Sequence, residues 1–273
     1  MSDAPASVPP PTPSTDPPRR PWTILGRLTQ AVREQNWFAV VLEMVIVIVG
    51  VVVGFQITVW GQDRADRARE QEYLTQLLVD FEQTEANLAW SLDYAQRRLE
   101  QSAILMAAFD GTLADTVDAR ALALALGISH AIAEQPIPRD TWSDLVSTGR
   151  LELLRNQDLR WAISAFYRTV DQHQSYTQDW IGFVDPFRRQ AVATLPPRLQ
   201  QAIAEQYVAG PPAPDSLIPS RSSLLQAIRA RPALQETFGE VLTTNWGATW
   251  QYRALIDQAR AITARLRAEV GEG

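Results

Sequence analysis

The chain has 273 residues, 46% of them hydrophobic and 21% charged, with a formal net charge of −6. That is too apolar for a wholly disordered chain, and the length accommodates one or two folded units. Cysteine and lysine are absent and the only histidines are His130 and His173, which excludes disulfides, thiolate metal sites, thiol catalysis, a His-rich metal centre and a lysine-bearing phosphate loop. An acidic chain with scattered arginines also lacks the footprint of a nucleic-acid binder.

Eight of the 18 prolines lie before residue 22, so residues 1–21, MSDAPASVPPPTPSTDPPRRP, are expected to be a disordered, partly polyproline tail. Residues 22–36 place Trp22, Leu25, Leu28 and Val32 at helical spacing with arginines nearby. This pattern suits a short amphipathic helix in the lipid headgroup region, or the beginning of the next element.

Residues 37–60, WFAVVLEMVIVIVGVVVGFQITVW, are interrupted only by Glu43, Gln56 and Thr58. As a helix they extend ~35 Å, enough to cross a ~30 Å hydrocarbon core. Trp37 and Trp60 stand where interfacial aromatic anchors belong. Glu43 opposes insertion, but the fifteen Val, Ile, Leu and Phe residues outweigh it at ~0.3–0.6 kcal/mol each. The segment is longer than the apolar core of a cleaved signal peptide and follows a proline-rich approach, so an uncleaved transmembrane anchor is expected.

At 100° per residue, Glu43, Val47, Gly50, Gly54, Ile57 and Gly61 fall within about 40° of one line. Gly50 and Gly54 have the small-xxx-small spacing that lets two helix backbones approach closely, and a partner there could satisfy Glu43 better than lipid. Glu43, Val47, Gly50, Gly54 and Ile57 are therefore the candidate self-association face. Arg19, Arg20, Arg27 and Arg33 precede the span, against Arg64, Arg67 and Arg69 after it. That asymmetry leads to the expectation of a single-pass protein of the bacterial inner membrane with its N-terminus in the cytoplasm and residues 61–273 in the periplasm.

Residues 61–273 carry a helical pattern almost throughout, and the fold class expected is all-α: one transmembrane helix continuing into an elongated helical bundle. Leu74, Leu78, Phe81, Glu85, Leu88, Leu92, Ala95, Leu99, Ser102, Met106 and Phe109 alternate steps of four and three, a 3.5-residue stripe. No proline or glycine lies between Gln62 and Asp110, so the membrane helix can run straight into this one until Asp110-Gly111 ends it. A short helix follows near 117–133, then a break at Pro136 and Pro138. Thr141 and Asp144 resemble a capping box, Gly149 is a stop, and Asn156 can cap a helix whose apolar positions include Leu159, Ile163, Phe166, Tyr167 and Val170. Breaks are expected at Pro186, at Pro196-Pro197 and at residues 210–214. A last helix over 232–270 places Leu234, Phe238, Val241, Leu242, Trp246, Ile256, Ile262 and Leu266 inward. It is expected to pair antiparallel with the first long helix.

Two blocks resemble an uncharacterised family of bacterial single-span membrane proteins. The first runs from Asn36 to Phe81 and matches through Glu43, Gly50, Gln56, Trp60 and the Glu72-Tyr73-Leu74 triplet. The second, TWSDLVSTGRLELLRNQDLRWAISAFYRTV, matches through Thr141, Leu145, Gly149, Leu151, Asn156, Leu159 and Tyr167. Together they cover about a quarter of the chain. The resemblance implies a membrane-anchored helical domain and no particular reaction.

Catalytic signals are weak. His130 and Glu134 have helical i, i+4 spacing but no third metal ligand, and His173, in DQHQSY, reads as solvated. Pairs such as Trp161 with Trp180 or Trp246 with Trp250 read as core packing with a wet edge. No enzyme, cofactor or metal is expected. The function expected is a membrane-anchored interaction or scaffold protein of the envelope, associating with itself or another envelope protein. A sensor-like ligand-binding bundle and an accessory subunit of a transport complex are the alternatives.

Overall fold

The computed structural model describes residues 37–208 and 210–272, and among them every regular element is a helix. The expected tail at 1–21 and amphipathic segment at 22–36 lie outside the described residues. The chain divides into two units between Arg64 and Ala65. Seven α-helices are described: α1 Trp37–Phe109, α2 Ala119–Ile128, α3 Asp140–Ser147, α4 Gln157–Thr194, α5 Pro197–Val208, α6 Arg221–Arg229 and α7 Pro232–Glu272. Single 3₁₀ turns occupy Leu151–Leu153 and Asp215–Leu217.

α1 is unbroken, as the absence of helix breakers predicts, and it stops where expected. Gly111 adopts φ +73°, the left-handed conformation that lets Thr112 N–H reach back to the Ala107 carbonyl at 2.9 Å. Within the second unit α1, α4 and α7 form the main bundle. Ion pairs Glu82–Arg267 and Glu85–Arg260, the Asn245–Ser102 hydrogen bond and the Phe109–Phe238 ring contact run in opposite residue order, so α1 and α7 are antiparallel as expected. Contacts Asn156–Glu269, His173–Gln251 and Phe187–Phe238 make α4 antiparallel to α7 as well. Glu70 with Arg155 and Phe81 with Phe166 then place α4 parallel to α1.

Two apolar cores fill this unit. One gathers Leu74, Leu77, Phe81 and Leu88 of α1 with Leu145, Leu154, Ile163 and Phe166, and with Leu255, Ile262 and Leu266 of α7. The other gathers Leu105, Leu122, Leu126, Phe187, Leu199, Ile203, Leu224 and Phe238, so α2, α5 and α6 close one end of the bundle. The first core joins the start of the buried α1 stretch to the segment from α3 to the N-terminus of α4. Tyr73 donates to Asp144 Oδ2 at 2.8 Å and accepts from Arg150, while Glu70 accepts from the Arg155 backbone N–H at 2.7 Å.

Several local expectations are corrected. The α1 stripe keeps Leu74, Phe81, Leu88, Ala95 and Ser102, but its other line is Leu77, Thr84, Ser91, Arg98 and Leu105. Leu78, Leu92 and Leu99 are only half-buried and Met106 is exposed. The seam is rotated toward polar residues because those residues hold a neighbouring irregular segment, described below. Pro186 lies inside α4, with Val184, Phe187 and Ala191 on either side of it buried in the second core. Their burial outweighs the ~3 kcal/mol that an interior proline costs.

α3 begins at Asp140 rather than on a Thr141 cap, with no side-chain bond at its N-cap Arg139, and the Asp144 carboxylate is engaged by Tyr73. α2 is shorter than expected and is capped by Asp118, which accepts from Ala121 N–H at 2.8 Å. Asn156 caps α4 as expected, accepting from Leu159 N–H at 3.0 Å. Trp246 is 66% exposed rather than inward, and Trp161 and Trp250 are exposed too. Trp180 alone of those four packs on the core, its ring 3.4 Å from where a Cβ would stand on Gly247.

Candidate functional site

In the first unit the apolar segment is helical over its whole length, and by length and composition it can cross a membrane. From Trp37 to Trp60 every described side chain is exposed except that of Val59, which is half-buried. Glu43, Val47, Gly50, Gly54 and Ile57 all lie on this helix and all are exposed. Among the described residues, beyond the adjoining turns of the helix itself, nothing lies within 4 Å of a Cβ built on Gly50, Gly54 or Gly61, so no described contact requires glycine there. Thr58 bonds back to the Gly54 carbonyl at 3.0 Å, which satisfies its hydroxyl inside the helix. Trp37 and Trp60 are both exposed, and the Arg64 guanidinium stands 5.8 Å from the centre of the Trp60 ring.

In the second unit the segment between α2 and α3, residues 129–139, is irregular and partly buried, so its backbone polar groups need partners. Side chains of three helices supply them. From α1, Asn87 donates to the Pro136 carbonyl at 2.6 Å, Ser91 Oγ accepts from Gln135 N–H at 3.2 Å, and Arg98 donates to the Ala131 carbonyl at 2.6 Å. From α7, Asn245 donates to the Ser129 carbonyl at 2.8 Å, and to Ser102 Oγ at 2.9 Å. From α4, the Tyr167 hydroxyl donates to the Pro138 carbonyl at 2.9 Å. Ser91, Arg98 and Ser102 therefore sit in the seam because an irregular backbone runs beside it.

The same segment carries Glu134 into a polar cluster. Its Oε1 accepts from Thr177 Oγ1 at 2.9 Å and from the Tyr252 hydroxyl at 2.7 Å, and lies 3.4 Å from His173 Nε2. Burial raises the Glu134 pKa, but these partners, His173 foremost, outweigh it and hold the carboxyl at about 2. Burial, with the Glu134 charge and hydrogen bond behind it, raises the Tyr252 phenol above its ordinary value. His173 is thus buried rather than solvated, held between Glu134 and Gln251 and ringed by Tyr252 and Trp180. Sequence spacing paired Glu134 with His130; α2 ends before His130, so the i, i+4 relation is lost and the long-range His173 takes that place.

His130 instead packs on Phe187, with ring centres 5.8 Å apart. Burial, then the Arg188 charge, lowers its pKa to about 4 against the Leu126 carbonyl, and Arg98 adds to the lowering. The imidazole is neutral at ordinary pH. Beside it opens a cleft of about 620 Å³, within the range of small-molecule sites. Its walls are residues 126–135, the C-terminal turns of α4, the N-terminal half of α5, and Trp90 with Tyr94 of α1. Those two rings stack with centres 5.4 Å apart, and Tyr94 also carries Arg98 over its face at 5.7 Å. Leu126, Ile128, Ile132, Val192, Leu195 and Ile203 make most of the lining apolar. The cleft was not legible in the amino-acid order, since its walls come from four separated stretches. The one usable signal was the seven-residue recurrence of polar Thr84, Ser91 and Arg98 in an otherwise apolar stripe.

Among the described residues no cluster of His, Asp and Glu is arranged to hold a metal ion. No protein-family model, curated protein or solved structure matches the chain.

Proposed function

We propose that this is a single-pass protein of the bacterial inner membrane whose helical domain faces the periplasm, and that it acts as an interaction module by associating with itself through its span. The observation that carries this proposal is the Gly50–Gly54 face. Two helix-interior glycines cost up to ~1 kcal/mol each relative to alanine, and none of the described residues packs against them. A second helix backbone packed on that face would make use of them, and it would also shelter Glu43 from lipid. The family resemblance carried by Glu43, Gly50, Gln56 and Trp60 agrees with an anchored helical domain.

In-membrane crosslinking of the full chain tests the association. Gly50→Ile and Gly54→Ile are expected to abolish the crosslinked dimer, while Val52→Ile on the opposite face leaves it intact. Equal behaviour of all three would reduce the helix to an anchor. An alkaline phosphatase fused after residue 273 is expected to be active, and an inactive fusion would reverse the orientation.

A second function, binding a small ligand as sensor-like helical bundles do, is favoured by the cleft beside His130.

A further inference from the structure

The polar groups around the cleft are not equally available to a ligand. Glu134 is held at the α4–α7 side by Thr177, Tyr252 and His173. The Gln200 amide donates to the Val192 and Leu195 carbonyls at the end of α4. Arg188 differs. It gives Nε and Nη2 to Asp185, and among the described residues no acceptor takes the two N–H groups of Nη1. Asp185 is shared with Arg189, whose Nη1 lies 2.9 Å from its other oxygen, so two guanidiniums face one carboxylate. At this exposed end of the cavity, away from Glu134, two arginines therefore stand against one carboxylate, a local excess of one positive charge.

Glu134 bonds to Thr177, and Thr177 precedes Arg188 by eleven positions on α4, ~16 Å along the helix axis. The carboxylate and the arginine therefore stand well apart. Beyond Arg188 the wall is aliphatic, formed by Ala191 and Val192 of α4 and its C-cap Leu195, facing Ile203 of α5 and Leu126 of α2. His130 beside it is nine-tenths buried and neutral, and the Arg188 and Arg98 charges both oppose its protonation. A cation at this point would add to an existing positive excess, whereas a single negative charge would cancel it.

We propose that the cleft binds a straight-chain monocarboxylate, with its carboxylate on Arg188 Nη1 beside His130 and its alkyl chain against the aliphatic wall at Val192, Leu195 and Ile203. This ligand class rests on the ligand-binding function of the cleft and is independent of association through the span. One excess charge selects a monoanion over a phosphate dianion. Guanidinium N–H groups suit a carboxylate, and the apolar wall supplies most of the buried area. The acyl chain can come from a free acid or from an acidic lipid, and the two sources differ in the number of chains they carry.

The test uses the full chain in lipid nanodiscs, titrated by calorimetry with octanoate, 1-octanol, octylammonium and dihexanoyl phosphatidate, with empty nanodiscs subtracted. Octanoate is expected to saturate at one per chain. Octanol is expected to bind at least tenfold more weakly, and octylammonium and the two-chain phosphatidate are expected not to saturate. Arg188→Gln should weaken octanoate at least tenfold without changing octanol, and Arg188→Lys should keep most of the affinity. Ala204 is exposed at the cleft wall, so Ala204→Trp should block both ligands at an unchanged melting temperature. Octanol matching octanoate, or Arg188→Gln matching wild type, would overturn the carboxylate site while leaving a ligand-binding cleft. Preferential binding of octylammonium would invert the charge, and of phosphatidate would make the ligand a lipid; either overturns the proposal. No saturable binding of any probe would remove the ligand-binding function itself.

Discussion

Between Trp37 and Trp60 α1 is apolar on all its faces, and every described side chain but Val59 is open. Between Leu74 and Leu105 the same helix buries about one residue in three and leaves the rest half-buried or exposed. In the first stretch the polar residues are few, and Thr58 is satisfied within its own helix. In the second, Ser91, Arg98 and Ser102 are buried deliberately, because they bond to backbone or side chains elsewhere in the fold. The contrast teaches what burial in a seam requires. An all-round apolar helix needs only a medium that is itself apolar, whereas a one-faced helix must find partners for most of the polar groups it buries.

The largest effect should come from putting a charge into the packed stretch. Leu88 is 2% exposed in the first core, and Leu88→Asp would bury a carboxylate without a partner. A loss of about 4 kcal/mol or more is expected in urea unfolding of the second unit, since both cavity and unpaired charge contribute. Wild-type stability for this variant would break the contrast between the two stretches.

A smaller loss is expected on removing one polar partner of the irregular segment. Asn245→Ala leaves the Ser129 carbonyl and Ser102 without their shared donor. The cost should be about 1–3 kcal/mol, measured in the same way. Hydrogen exchange should accelerate along residues 129–135 before it does in the long helices.

The pH dependence sharpens the same point. The folded pKa of His130 is lowered from 6.5 to about 4, so the unfolded chain binds a proton that the folded one does not. Stability should fall as pH drops from about 6.5 toward 4, by on the order of 3 kcal/mol for this group. His130→Gln is expected to flatten that interval of the stability curve. The Glu134 carboxyl, lowered to about 2, contributes stability that is present above about 4.5 and lost as pH falls toward 2. Glu134→Gln should therefore lower stability above about pH 4.5 and flatten only the more acidic limb of the curve.

The smallest effect belongs to the open stretch. Gly50→Ile, which is expected to abolish association, should leave the unfolding of the second unit within about 0.5 kcal/mol of wild type, because none of the described residues packs against Gly50. A large shift would mean that the face is packed within the chain.

Much of this architecture was legible in the amino-acid order. The apolar run to Trp60, the unbroken course to Asp110-Gly111, the Asn156 cap and the antiparallel pairing of first and last helices all follow from local chemistry or from the need to bury a long stripe. Such signals act within a few turns, where periodicity and capping decide the outcome. What only the tertiary structure decided were the side chains whose partners are far away in sequence. The seam turned from Leu78, Leu92 and Leu99 toward Leu77, Ser91 and Arg98 because residues 129–138 lie beside α1. Pro186 stayed helical because its flanks are buried by other helices, and His173 went inward because Glu134 and Gln251 meet it from 39 positions before and 78 after. Hydrogen-bond partners at those separations leave no periodic trace in the chain, because the energy that places them arises only once the helices have packed.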